Sequence, residues 1–209
     1  MPEIQPTDLL LLDLSKTHLH KKEKGKQIMI VFFGPAGAGK SVQGQMLAAR
    51  NNWRWVSAGQ MLRDTHDMEL IQQMQSGGLV TTDRVNQLMG DAIKRATNID
   101  RVILDGFPRE LSQAHWLVES QSHHGRDVQL VVVLEVPKSE LLKRLEVRGR
   151  VDDTPEAIDA RLQIYRTEMY PILSYLTEQS VKVAHIDGTG SVGQVHDRIM
   201  EELTAHNLA

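Results

Sequence analysis

The chain has 209 residues, with 24 lysines and arginines against 27 aspartates and glutamates, 41% hydrophobic residues and no cysteine. That length builds one sizeable core with room for a small insertion, and the balance is that of an ordinary globular protein. A net charge of -3 gives no overall basic field for nucleic acid, and the missing thiols exclude disulfides, thiolate metal sites and a cysteine nucleophile. The longest early apolar run, Leu9 to Leu12, is too short for a membrane span or a secretory leader, so a reducing cytoplasm is the expected setting.

Residues 1–27 read as a flexible arm, in which the leucine patch is followed by Lys16-Thr17-His18-Leu19-His20-Lys21-Lys22-Glu23-Lys24-Gly25-Lys26, a charge run suited to solvent. From Ile28 short apolar strands alternate with amphipathic helices, and strands are expected at 28–33, 53–57, 101–104, 129–135 and 182–186. Such alternation makes right-handed βαβ units and a parallel sheet covered on both faces, with ligands gathered at the carboxyl ends of the strands. Three loops fall at that edge: Gly34 to Ser41, Ser57-Ala58-Gly59, and Asp105-Gly106-Phe107-Pro108-Arg109. Gln60 to Ala96 is polar, helical and interrupted by Gly77-Gly78, and reads as a helical insertion able to swing over the edge. A long helix is expected from Pro155 to about Gln179, with a kink or break just before Pro171. His185 to Gly190 ends the last strand in a loop, and Val192 to Leu203 closes the fold as an amphipathic helix.

Gly34-Pro35-Ala36-Gly37-Ala38-Gly39-Lys40-Ser41 is G-x-x-x-x-G-K-[ST], set between an apolar run and a helix that starts near Val42. Its glycines let backbone N–H groups turn inward, and the helix N-terminus adds positive potential, so the loop is suited to a phosphate chain. Lys40 would reach the β and γ phosphates, and the Ser41 hydroxyl would sit on Mg²⁺. Asp105 ends an apolar strand, where a carboxylate suits Mg²⁺ held directly or through water; a turn or N-cap aspartate is the other reading. Arg63, Arg109, Arg144, Arg148, Arg150 and Arg161 all lie near these loops. Any one alone would be a surface ion pair, but the set fits phosphoryl transfer, in which the protein positions the reactants and neutralises spreading charge. A switch GTPase would need fewer cations, and the chain has no N-K-x-D segment to read guanine. The nine histidines show no H-E-x-x-H spacing, and Trp53 and Trp55 alternate as strand packing residues do.

With these residues in view, the chain from about Ile28 onward resembles a nucleoside monophosphate kinase of the adenylate kinase family. The resemblance is carried by five blocks: Gly34 to Ser41 with Gln43; Ser57-Ala58-Gly59-Gln60-Met61-Leu62-Arg63; Gly78-Leu79-Val80; Asp105 to Arg109 with Gln113; and Gly149-Arg150-Val151-Asp152-Asp153 with Arg161. It implies an α/β P-loop kinase fold, a five-stranded parallel sheet flanked by helices over 28–209, with a helical monophosphate-binding insertion at about 57–86 and a short lid at about 149–153. It also implies reversible, Mg²⁺-dependent transfer of the ATP γ-phosphoryl group to a nucleoside monophosphate without a covalent enzyme intermediate. By the same resemblance Lys40, Arg109, Arg148, Arg150 and Arg161 are catalytic, and ATP is bound by Gly34 to Ser41, Val42, Arg144, Arg148 and Gly190. The monophosphate would meet Ser57, Ala58, Gly59, Arg63, Leu79, Val80, Gly106, Arg109, Gln113, Arg150 and Arg161, and Ser41 with Asp105, through water, would hold the metal.

Gln113 offers the donor and acceptor that an adenine edge requires, which favours AMP, whereas Ala58 stands where adenylate kinases usually have threonine and uridylate/cytidylate kinases alanine. A UMP/CMP kinase is thus the alternative enzyme, and a nucleotide-binding regulatory protein the alternative outside catalysis. The lid lacks even the spacer of short-lid members, the absence of cysteine excludes a zinc lid, and the arm has no counterpart in a minimal member. A monomer that binds neither nucleic acid nor membrane is expected.

Overall fold

The computed structural model describes residues 27–75, 80–150 and 153–209. In chain order the elements are β1 (Ile28–Phe33), α1 (Lys40–Asn51), β2 (Arg54–Ser57), α2 (Ala58–Asp64), α3 (Met68–Gln75), α4 (Thr82–Arg95), β3 (Arg101–Asp105), α5 (Leu111–Glu119), α6 (Gln121–His124), β4 (Asp127–Glu135), α7 (Lys138–Arg148), α8 (Pro155–Glu178), β5 (Lys182–Asp187) and α9 (Val192–Ala205). The expected arm, apart from Gln27, and the expected site residue Leu79 lie outside the described residues.

The strands form one parallel sheet in the order β2-β3-β1-β4-β5. All six residues of β1 are buried, because helices cover both faces of a parallel sheet and leave no polar side. Their side chains alternate between two cores. Met29, Val31 and Phe33 join residues of α4, α5 and α8, while Ile28, Ile30 and Phe32 join residues of α1, α7 and α9. Phe32 is only 1% exposed, so Phe32→Ala would cost about 3–5 kcal/mol.

Topology sets the site. β1 lies between β3 and β4, and the connection leaving β1 leads toward β2 while that leaving β3 leads to β4 on the opposite side. Neighbouring strands whose connections diverge open a crevice at their carboxyl ends, here between the loops after Phe33 and Asp105.

Each expected strand is present, and the ends differ by no more than two residues. Of the kink or break expected before Pro171, the break does not occur: α8 runs through it as one helix. Proline removes the bond to the Thr167 carbonyl, but both residues are exposed, so water can serve that oxygen. Ile172, the next residue, and Leu176, about a turn beyond it, are fully buried and hold the second half against the core. At the other end of the sheet Arg126, 1% exposed, spreads its guanidinium over the carbonyls of Ala96, Ile99 and Asp100, oxygens that the end of α4 and the following turn leave without helical partners. Among the described residues no helix is long and apolar enough to cross a membrane.

Candidate active site

A cleft of about 610 Å³ opens at the carboxyl edge of the sheet, and the whole loop Gly34 to Ser41 lines one side of it. Backbone geometry explains the glycines there. At Gly34, φ is 142° and a Cβ would stand 2.8 Å from the Leu134 carbonyl oxygen; at Gly37, φ is 85° and a Cβ would stand 3.0 Å from Leu145 Cγ. α1 begins immediately after the left-handed Gly39, with no side-chain cap and no acidic residue in its first turn. Its first N–H groups and positive end are therefore available to an anion.

Lys40 Nζ donates to the carbonyl oxygens of Gly34 at 2.7 Å and Pro35 at 2.8 Å, which folds the lysine back over the loop. Burial lowers its pKa to about 8; the Asp105 carboxylate pulls against that shift, and the charges of Arg109 and Arg148 add to it. A phosphate entering the loop would supply the missing counter-charge. Ser41 Oγ donates to Asp105 Oδ2 at 2.6 Å, and Trp55 Nε1 donates to the same oxygen at 3.3 Å.

The Ser41–Asp105 pair fits a Mg²⁺ ion that arrives with its nucleotide. A hydroxyl and a carboxylate oxygen lie together at the end of the phosphate loop, and Mg²⁺ keeps few protein ligands while taking the rest from phosphate and water. Among the described residues no cluster of three or more His, Asp or Glu could hold a metal by itself.

Across the cleft, two arginines converge over a residue without a side chain. A Cβ on Gly59 would lie 3.5 Å from Arg63 Nη1 and 3.6 Å from Arg109 Nη2. Ser57 N-caps α2 by accepting from the Gln60 N–H, which aims the helix that carries Arg63. Gly106, with φ of 70°, turns the chain so that Arg109 Nε donates to its carbonyl at 2.9 Å. Gln113, 2% exposed, accepts the Arg109 N–H at 2.8 Å and stands behind the arginine, away from the cleft wall. Ala58 and Val80 are likewise packed into the core beneath the cleft.

From the third side come α7, the turn after it, and α8. Gly149 ends α7 in the left-handed conformation, and Asp153 N donates to the Arg150 carbonyl at 2.9 Å. Asp153 then clamps two cations. Its Oδ2 accepts Arg148 Nε at 2.7 Å, and its Oδ1 accepts Arg148 Nη2 at 2.5 Å and Arg161 Nη2 at 2.9 Å. Burial raises the Asp153 pKa, but the hydrogen bonds and charges of Arg148 and then Arg161 outweigh it, and the net shift is downward. Arg148, Arg150 and Arg161 all line the cleft.

Arg144, also on α7, is held by Glu140 Oε1 at 2.9 Å and donates Nη2 to the Gly188 carbonyl at 3.1 Å, beside the loop containing Gly190. Val42 and Val192, both about half exposed, add apolar surface at that end.

The structure thus brings to one cleft Gly34 to Val42, Ser57, Gly59, Arg63, Asp105, Gly106, Arg109, Arg144, Arg148, Arg150, Arg161 and Gly190. Sequence reasoning named Asp153 and Trp55 without these contacts and did not name Glu140. Asp153 carried a signal, an acid set between Arg148 and Arg161 in a cation-rich segment. Trp55 carried none, since its contact with Asp105 depends on how β2 and β3 pair.

Known proteins are similar to this chain in sequence. The family model for adenylate kinase matches residues 32–181. The adenylate kinase of Mycolicibacterium paratuberculosis is 35% identical over 177 residues, 82% of this chain and 96% of its own. Those of Mycobacterium leprae and Mycobacterium tuberculosis are 34% and 32% identical over 180 residues, covering 83% of this chain and 98% of theirs. A match over most of the chain, containing the phosphate loop, both arginine groups and the strands that carry them, places this protein in the adenylate kinase family.

Proposed function

We propose that the protein transfers the γ-phosphoryl group of ATP reversibly to AMP, giving two ADP. The observation that carries this reading is the meeting, in one cleft, of a glycine loop with Lys40 on one side and the Arg63–Arg109 pair over Gly59 on the other. The triphosphate lies along the loop and the start of α1, with its base toward Arg144 and the loop at Gly190. The AMP phosphate sits between Arg63 and Arg109. An oxygen of the AMP phosphate attacks the γ-phosphorus in line, the bond to the β–γ bridging oxygen breaks, and ADP leaves with that electron pair. No side chain is phosphorylated.

Each cation has a place in that step. Lys40 neutralises the β and γ oxygens, and Arg109 fixes the attacking phosphate. Arg148 and Arg161, locked in orientation by Asp153, offer planar donors to the charge spreading over the transferring group. When bound, Mg²⁺ would be held by Ser41 and, through water, by Asp105, and would draw negative charge off the phosphates. The segment at about 57–86 acts as the monophosphate-binding part. The segment at about 149–153 acts as a short lid that brings Arg150 to the reacting group and excludes water.

A coupled assay with ATP-Mg²⁺ against AMP, CMP, UMP, GMP and dAMP tests the reading. Turnover with the highest kcat/KM for AMP is expected. Higher values for CMP or UMP would reassign the acceptor, and binding without turnover with any monophosphate would replace the enzyme by a binding protein.

A further inference from the structure

The phosphate loop feeds α1, the loop at 188–191 feeds α9, and one side chain ties the two helix starts together. Gln43, in the first turn of α1, donates Nε2 to the carbonyl oxygen of Val192, the first residue of α9, at 2.9 Å. It lines the cleft and is 2% exposed.

The far side of the 188–191 loop is fixed by other means. Arg198 Nη1 donates to the Asp187 and Thr189 carbonyls at 2.7 and 2.8 Å, Arg144 holds the Gly188 carbonyl, and Ser191 with Gln194 forms a capping box. Gly188 also packs against the Ala38 carbonyl and donates its N–H to the Glu135 carbonyl at 2.8 Å, so the near end of the loop is set by backbone packing, and the Gln43 bond adds a side-chain tie at its far end, where α9 begins.

The other end of the same amide points to why glutamine stands there. Gln43 Oε1 is buried and has no partner among the described residues, a state that costs folding free energy. A methionine or leucine of similar volume would fill the space without leaving an oxygen unpaired. Stability therefore does not account for the residue, whereas the donor on Nε2 does. Local stability given up for placement is characteristic of a functional site.

We infer that Gln43 is a positioning residue that sets the spacing between the phosphate loop and the 188–191 loop, and so the fit of a ligand carrying both a triphosphate and a base. The inference rests on the proposed placing of ATP, with its base against that loop. A ligand with phosphates alone touches only one of the two tied parts and should not sense the spacing.

Titration calorimetry on the full chain, with ATP-Mg²⁺ and with inorganic tripolyphosphate as its base-free counterpart, separates the two. For Gln43→Met, and for Gln43→Leu as a second variant, ATP affinity should fall about 10-fold, the worth of one hydrogen bond, while tripolyphosphate affinity changes less than about 2-fold. KM for ATP should rise with kcat and KM for AMP nearly unchanged, and the thermal midpoint should stay level or rise. Equal weakening of both ligands, no weakening of ATP, or a general loss of activity with a lowered midpoint would overturn the inference. Wild-type protein binding ATP no more tightly than tripolyphosphate would instead remove the placing of the base on which it rests.

Discussion

Asp153→Asn replaces one carboxylate oxygen by an NH₂ group at the point where Arg148 and Arg161 are held. The carboxylate is 3% exposed and accepts three hydrogen bonds, two of them a fork to Arg148 through both oxygens. An asparagine of the same shape can keep the bonds to one oxygen, but its nitrogen then faces a guanidinium N–H, donor against donor, and the countercharge is gone. Breaking a fully buried pair costs about 3–5 kcal/mol. Here Arg148 and Arg161 are 28% and 16% exposed, so water can partly replace the lost partner, and about 2 kcal/mol is expected. For a chain of this size that lowers the thermal midpoint by about 4–8 °C. The kinetic effect should be larger, because a shift of about 1 Å in two transition-state cations costs on the order of 10²-fold in kcat. The Asp153 pKa lies below its unfolded value, so its contribution to stability is complete above the unfolded pKa near 4 and is lost as pH falls through the folded value. The asparagine variant should lack that acid-side loss. Thermal melts at neutral and acid pH, with kcat from a coupled assay, give all three quantities. A variant with wild-type midpoint and wild-type kcat would refute the reasoning.

With its pKa near 8, Lys40 is partly neutral in the free protein just above neutrality, and bound triphosphate should restore the proton. ATP binding at pH 8 to 9 should therefore take up protons, seen as a binding heat that depends on the ionisation enthalpy of the buffer, and Lys40→Met should abolish the dependence; heats independent of buffer would contradict the assignment. Arg150→Ala should lower kcat by about 10³-fold, as loss of a lid-borne arginine finger does, and Arg150→Lys should not restore it because an ammonium lacks the planar fork. Near-full kcat in the alanine variant would remove 149–153 from the mechanism. Deletion of residues 1–24 should leave kcat and thermal midpoint within experimental error, and a large loss of either would mean that the leucines at 9–12 dock on the core or on a second copy.

What could be read from the sequence is what is encoded locally. The strand, phosphate loop and start of α1 are consecutive, and each glycine meets a demand of the backbone at its own position. β1, β3 and β4 announce themselves as apolar runs because both faces of the sheet are covered, and even β2, whose first residue is exposed, begins within one residue of expectation. The arginines could be assembled because four strand ends point to one edge. What could not be read depends on partners distant in sequence. Gln113 was read for its place near the base of the monophosphate, and its oxygen also accepts the Arg109 backbone N–H, a contact set by the turn through Gly106 that the sequence did not show. Trp55 was read as packing, and it also donates to Asp105. The bond from Gln43 spans 149 positions, which no local pattern records. Pro171 shows the reverse case, a local signal that does not break the helix, because the bond it removes faces water and the residues beyond it are pinned in the core.

The central claim is that both nucleotides lie end to end in one cleft, joined across the cations between the phosphate loop and Arg63. Two adenosines bridged by five phosphates would span that distance in a single molecule, gaining the contacts of both sites for one loss of translational freedom. Titration calorimetry with this compound measures the claim directly. One molecule per chain is expected, bound far more tightly than ATP or AMP and displaced by either. Affinity no better than that of ATP, or competition with ATP and not with AMP, would contradict it.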